Sequence, residues 1–258
     1  MNSARPAALA IGCAAALVLA APAAAKPWAE IRVQGEISVC ANPNALPYSS
    51  NRPDLPGFQL EIARALAARL GVRLRVEWIV PRMRAAMVDC DLLMDTIAVP
   101  GVQPPSVKLS VPYYRGGVPL GFAHGREPAP TYRDLRPGTR VGVMMNSLAG
   151  LIVSKTAATL ISFGFEDDML EALTRGEIAA AAASAASIGY FNLRHPEARI
   201  TLVHAEDEEP ELRWVVAVGM RRADDDLVQA VNGALSPLLD DGTLAAIYAR
   251  YGVVHRRP

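Results

Sequence analysis

The sequence predicts an α/β fold, and three observations carry that prediction. Stretches rich in Ala, Leu, Arg and Glu alternate with short β-branched runs. Residues 37–71 read as a strand (37–41), a polar loop broken by Pro43 and Pro47, and a helix that restarts at Gly57-Phe58 and stops at Gly71. Residues 91–99 are nearly all apolar, as suits a strand buried on both faces. A strand that empties through an open loop into a helix puts the loop at the carboxyl edge of a sheet. In α/β folds that edge binds ligands.

The elements follow in chain order. Arg5, the apolar run 7–21 and the small residues 23–25 before Lys26 read as a cleaved signal peptide of residues 1–25. The apolar run is too short and too rich in Ala for a membrane span. It continues past Cys13, which argues against a lipoprotein anchor. The expected destination is the periplasm. After the first βα unit, residues 74–79 alternate as a second strand. Pro81 opens a short helix over 81–87. Pro100, Pro104 and Pro105 force an extended connection. Residues 118–123 form a strand, and the polar, proline-broken stretch 124–130 reads as a crossover.

A second α/β set comes next. Residues 140–144 are a strand and 147–160 a helix, which the Asn146 side chain can cap. A helix over 165–174 stops at Gly176. Residues 178–183 are a small-residue strand, 185–193 a helix and 200–203 a strand. The acidic run 206–211 reads as a solvated loop. Residues 214–219 are a strand, and helices cover 227–239 and 242–251.

Lys and Arg (26) balance Asp and Glu (26), so nothing points to nucleic acid or to an anionic membrane. No cofactor or metal is expected, because no CxxC or HxxxH spacing occurs and the four histidines are scattered. No enzymatic activity is expected either. Ser147 and Ser184 lack a GxSxG setting, and Gly116-Gly117 lacks the Lys-Ser/Thr of a phosphate loop. Beyond the leader only Cys40 and Cys90 remain, and two cysteines in an oxidising compartment usually pair. Register opposes this. Cys40 ends one strand and Cys90 begins another, so parallel neighbours would hold their Cα atoms on the order of 10 Å apart. The bridge is left open.

Six segments stand in an order that resembles the bacterial periplasmic solute-binding proteins, family 3. They are GFQLEIARALAARLG, CDLLMDTIAV, SVPYYRGG, YRDLRPGTRVGV, GEIAAAAASAASIGYF and DDGTLAAIYARYG. The resemblance implies a type II periplasmic binding protein, with two α/β lobes joined by a two-strand hinge. Lobe one would be 26–122 plus 213–258 and lobe two 123–212, with the chain crossing near 122–125 and returning near 212–214. A ligand would sit in the cleft, and closure would be a hinge motion.

Amino-acid binders of this family place an Arg after the third strand for the ligand carboxylate and an Asp in lobe two for its ammonium. Here Gln103 and Ser184 stand at those places, and the anion turn reads Asn146-Ser147-Leu148. Replacing an Arg–carboxylate contact by a neutral hydrogen bond costs roughly 1–3 kcal/mol. The loop CANPNALPYSS, with CD at 90–91 and Tyr113-Tyr114-Arg115, resembles a narrower branch. These are the binding-protein-like J proteins associated with PQQ-dependent methanol dehydrogenases. That likeness implies an accessory role in assembling or activating the dehydrogenase, with its large subunit as partner. The alternative is the receptor of an ABC importer for a small polar solute.

The candidate cleft residues are Asn42, Tyr48, Asp95, Thr96, Gln103, Asn146, Ser147 and Ser184. Asn42 reads as a lining residue or a turn former holding Pro43. Tyr48 reads as a cleft aromatic or as packing over its loop. Asp95, the odd residue in an apolar strand, sits at a wet cleft edge or caps a backbone turn. Arg115 is a hinge-side ion pair or a partner contact. Met144 and Met145 read as core, and Trp28, Trp78 and Trp214 as packing residues.

Overall fold

The structure, a computed structural model, describes residues 27–79, 90–98 and 106–258. The signal peptide, the helix expected over 81–87 and Gln103 lie outside the described residues. The chain opens on helix α1 (Trp28–Gln34), which the sequence reading passed over. Gly35 ends it in the left-handed region.

The first sheet collects β1 (Glu36–Ala41), β4 (Arg73–Trp78), β5 (Leu92–Ile97), β6 (Val107–Leu109), β7 (Tyr114–Gly117) and β13 (Arg213–Arg221). Its order is β4-β1-β5-β13-β6, with β7 also pairing β13. β1, β4 and β5 are parallel, and β13 runs antiparallel to β5, β6 and β7. Between β1 and helix α2 (Phe58–Leu70), the loop holds a two-residue ladder of β2 (Asn44–Ala45) with β3 (Ser49–Ser50). α2 buries Phe58, Leu60, Ile62, Ala63, Leu66 and Ala67, the spacing of one helical face. Gly57 precedes it at φ 91°, and a side chain there would strike the Tyr48 carbonyl. The core also takes in α6 (Asp225–Asp240) and α7 (Thr243–Ala249) through Val231, Leu235 and Tyr248.

The second sheet has the order β10-β9-β11-β8-β12. Its strands are β8 (Leu120–Ala123), β9 (Arg140–Met144), β10 (Thr159–Phe163), β11 (Ala180–Ala182) and β12 (Ile200–Val203). Helices α3 (Leu148–Val153), α4 (Glu166–Thr174) and α5 (Ala185–Arg194) flank it. β11 is three alanines, which pack alternately into the cores on the two faces of the sheet. The chain leaves the first sheet after Gly117 and returns at Arg213, and Val118 N–H donates to the Leu212 carbonyl at 2.9 Å.

Several sequence expectations are corrected. The helix expected over 147–160 ends at Val153, and β10 follows at Thr159. Ser154 and Thr156 hydroxyls donate to the Leu151 and Val153 carbonyls and close the helix, and β10 then pairs in parallel with β9. Ser147, not Asn146, caps α3, accepting from Gly150 N–H at 3.1 Å, while Asn146 takes φ 57°. The acidic run is not a solvated loop throughout. Glu206 and Glu209 are buried, paired with Arg256 and Arg133 respectively.

Cys40 and Cys90 are bridged, with Cα atoms 5.5 Å apart. Cys90 does not begin a strand, because β5 starts only at Leu92. Cys90 instead precedes a bend at Asp91, whose carboxylate accepts from Ser38 N–H (2.8 Å) and Ser38 hydroxyl (2.7 Å). That bend, together with β5 first pairing β1 at Val39–Leu92, brings Cys90 beside Cys40. Met145 is exposed rather than core, because it stands past the end of β9.

Candidate functional site

A cavity of about 200 Å³ lies between the two sheets. The first sheet and its helices supply Phe58 and Gln59 from α2, Asp95 and Ile97 from β5, Tyr114 from β7, Trp214 from β13 and Tyr248 from α7. The loop after β1 supplies Tyr48. The second sheet supplies Ser184 and Ala185 at the start of α5. An adjoining groove of about 490 Å³ shares Tyr48, Gln59 and Asp95 and runs out past Asn42 and Cys40. A hollow near Arg126–Arg136 shares none of these residues, and one near His124 and Asn192 shares only Ala185.

The walls are aromatic. Tyr48 and Phe58 rings lie 5.0 Å apart, Phe58 and Tyr248 4.7 Å, and Tyr114 and Tyr248 stack at 4.8 Å. Tyr113 donates its hydroxyl to the Met94 carbonyl. Burial pushes the Tyr48, Tyr113 and Tyr248 hydroxyls well above the ordinary phenol range, and the charge of Glu166 adds to it at Tyr48. Tyr114 is pushed up to about 12, chiefly by burial. All four are therefore neutral hydrogen-bonding groups at physiological pH. Trp214 lies against Gly116, where a Cβ would meet its Nε1 at 2.8 Å.

One polar chain spans the two sheets. Tyr48 hydroxyl donates to Ser184 Oγ at 3.2 Å, and Ser184 Oγ donates to Glu166 Oε2 at 3.0 Å. Glu166 also accepts from Ser184 N–H at 2.8 Å and from the Ser187 hydroxyl. The carboxylate thus occupies the donors at the start of α5. Across the cavity, Asp95 is exposed, and neither it nor Glu166 has an ion-pair partner among the described residues.

Of the expected residues, Tyr48, Asp95 and Ser184 meet at this cavity. Asn42 lines the adjoining groove, and its Oδ1 accepts from Asn44 N–H at 2.9 Å to hold the turn. Thr96 turns its hydroxyl toward the Leu93 carbonyl, and Asn146 and Ser147 form the turn into α3; none of these three is on the cavity wall. Arg115 pairs with Asp207 at 2.9 Å. Trp214, expected as packing, is a wall residue. Glu166, Phe58, Gln59 and Tyr248 were missed. Only the Gly57-Phe58 helix start gave any signal, since it places Phe58 beside the loop of β1.

Residues 37–254 match the sequence model of the bacterial extracellular solute-binding proteins, family 3. The chain belongs to that family. This family member is 24% identical over 250 residues to the histidine-binding periplasmic protein of Escherichia coli (strain K12), spanning 91% of this chain and 94% of that one. An ancestral cationic amino acid solute binding protein superposes with a TM-score of 0.71 at 20% identity, over 87% of this chain and 99% of the other. The L-cystine solute receptor of Neisseria gonorrhoeae, in its unliganded open conformation, gives 0.70 at 18% identity, over 86% and 95%. The fold is that of the type II periplasmic binding proteins. Among the described residues no helix is long and apolar enough to cross a membrane.

Proposed function

We propose that this chain is the periplasmic receptor of an ABC importer for a small polar solute. The two sheets mark two lobes, the connections 117–120 and 203–213 form the hinge, and the solute lodges in the aromatic cavity. The observation that carries this reading is the Tyr48–Ser184 hydrogen bond, which closes a cavity whose walls come from both sheets. The relatives' names agree in kind, since each binds an amino acid. The experiment is titration of the mature protein with small polar solutes, followed by tryptophan fluorescence and calorimetry. Saturable binding supports the receptor. Absence of binding across amino acids, amines and polyols overturns it.

A second reading has an observation of its own. The Cys40–Cys90 bridge fastens the loop CANPNALPYSS, which is the segment that resembles the J proteins of PQQ-dependent methanol dehydrogenases. On that reading the chain acts by contact with the dehydrogenase large subunit. Deleting the gene would then abolish methanol dehydrogenase activity and leave solute uptake intact. Normal dehydrogenase activity in the deletion strain removes this reading.

A further inference from the structure

Among the described residues, the charge around the cavity is one-sided. Asp95 stands on β5 of the first sheet, and Glu166 opens α4 beside the second. Both carboxylates act electrostatically on the same tyrosine, Tyr48. Neither has a cationic partner among the described residues, although Arg–carboxylate pairs are frequent elsewhere in the chain. Between them the wall is built of ring faces, including Tyr48, Phe58, Tyr114 and Trp214. An aromatic face carries partial negative charge and attracts cations, most strongly where water is excluded.

The donors that would serve an anion are already in use. At the start of α5 the Ser184 N–H and the Ser184 and Ser187 hydroxyls all point at Glu166. At the start of α3, Ser147 caps its own helix. A ligand carboxylate entering beside Ser184 would have to displace Glu166 and then face Asp95. A ligand cation would meet Asp95 and several π-faces, with the Glu166 carboxylate behind Ser184. The volume, about 200 Å³, is below the roughly 300–1,000 Å³ typical of drug-sized ligand sites.

We propose that the cavity takes a small organic cation without a carboxylate, an ammonium of choline size or less, held by Asp95 and the aromatic walls with Glu166 behind Ser184. This rests on the receptor reading and narrows it. It separates this chain from its amino-acid-binding relatives by the missing ligand carboxylate rather than by ligand size.

The test is calorimetric titration of the mature protein with tetramethylammonium chloride, choline chloride, 3,3-dimethyl-1-butanol and L-histidine. The butanol has the shape of choline and no charge. Choline is expected to bind at least tenfold tighter than the butanol, and L-histidine more weakly than choline. Asp95→Asn should weaken choline at least tenfold and leave the butanol unchanged. Glu166→Gln, one hydroxyl further back, should weaken choline by a smaller factor. Asp95 is exposed, so the melting temperature of Asp95→Asn reports whether the fold is intact. Equal binding of choline and the butanol overturns the inference. Binding of L-histidine without either ammonium overturns it too, while leaving the receptor reading in place. If neither the ammonium salts nor any amino acid or polyol binds, the receptor reading fails and the inference falls with it.

Discussion

Arg256→Ala removes the centre of a charge cluster between the sheets. The guanidinium donates to Glu206 Oε1 at 2.9 Å and to Asp207 Oδ2 at 2.8 Å, and lies 2.9 Å from His204 Nδ1. Arg115 donates to the same Asp207 at 2.9 Å, and its N–H donates to the Arg256 carbonyl at 2.8 Å. The Glu206 side chain is 1% exposed and that of Arg256 19%. Glu206 Oε2 is buried with no hydrogen-bond partner. Truncating the arginine therefore leaves a buried carboxylate with only His204 beside it. Breaking a buried pair from one side costs about 3–5 kcal/mol. The partial exposure of Arg256 admits water, so about 3 kcal/mol is expected. At about 2–4 °C per kcal/mol for a chain of this size, the melting temperature should fall by about 6–12 °C. Urea unfolding and calorimetry at neutral pH measure this directly. The control is Arg52→Ala, whose partner Asp54 is 70% exposed, and there the melting temperature should be unchanged within error. The double variant Glu206→Gln/Arg256→Ala removes the orphaned charge and should recover most of the loss. A loss below about 1 kcal/mol in Arg256→Ala, or a double variant equal to the sum of the singles, would refute the reasoning.

Three further outcomes follow from the same physics. Reducing the Cys40–Cys90 bridge, or Cys40→Ser/Cys90→Ser, frees a loop spanning 50 residues and should lower stability by about 4 kcal/mol, read by urea midpoint alongside thiol labelling. His255 stacks on Tyr114 and Tyr248, its Nε2–H donates to the Tyr113 carbonyl, and burial ahead of the nearby Arg257 charge holds its pKa below the usual histidine value. The unfolded chain then takes up a proton first as pH falls, so stability should be full above about pH 6.5 and decline below it. His255→Gln should flatten that part of the profile, and an unchanged slope would exclude His255 as its source. Gly189→Ala places a methyl group against the Gly252 carbonyl, where α5 meets the C-terminal segment. A loss of about 1–3 kcal/mol is expected despite the better helix propensity of alanine, and a more stable variant would show that α5 can yield.

What the sequence disclosed follows the range of the forces involved. β1, β4, β9 and β12 were legible because each is a short β-branched or alternating run. α2 was legible through Gly57, its buried face and Gly71. β10 was not, because the helix expected over 147–160 ran into its first residues, and Thr159–Phe163 is set as a strand by pairing with β9. The burial of Glu206 was hidden for a related reason. Its partner Arg256 lies fifty residues on, and an acidic run without its counter-charge looks solvated. The same holds at the cavity. Tyr48 and Ser184 stood out beside recognisable loop and strand ends. Glu166 and Trp214 reach the site only through the packing of their sheets, and no local pattern marks either one.

The placement of the two cavity carboxylates bears on motion as well as on ligand choice. Asp95 belongs to the first sheet, while Glu166 is bonded to the start of α5 beside the second. On the receptor reading, bringing the sheets together without a cation moves two carboxylates closer, and this opposes closure to the extent that the exposure of Asp95 leaves the repulsion unscreened. The neutral Tyr48–Ser184 hydrogen bond favours closure by about 1 kcal/mol whether or not a ligand is present. The balance therefore depends on the occupant. A bound cation converts the repulsion into attraction toward both sheets at once, and it does so only when they are close. A neutral solute of the same shape gains the contacts and leaves the repulsion in place. Binding and closure are then linked through the sign of one charge, because a ligand shifts a conformational equilibrium only by its difference in affinity for the two states.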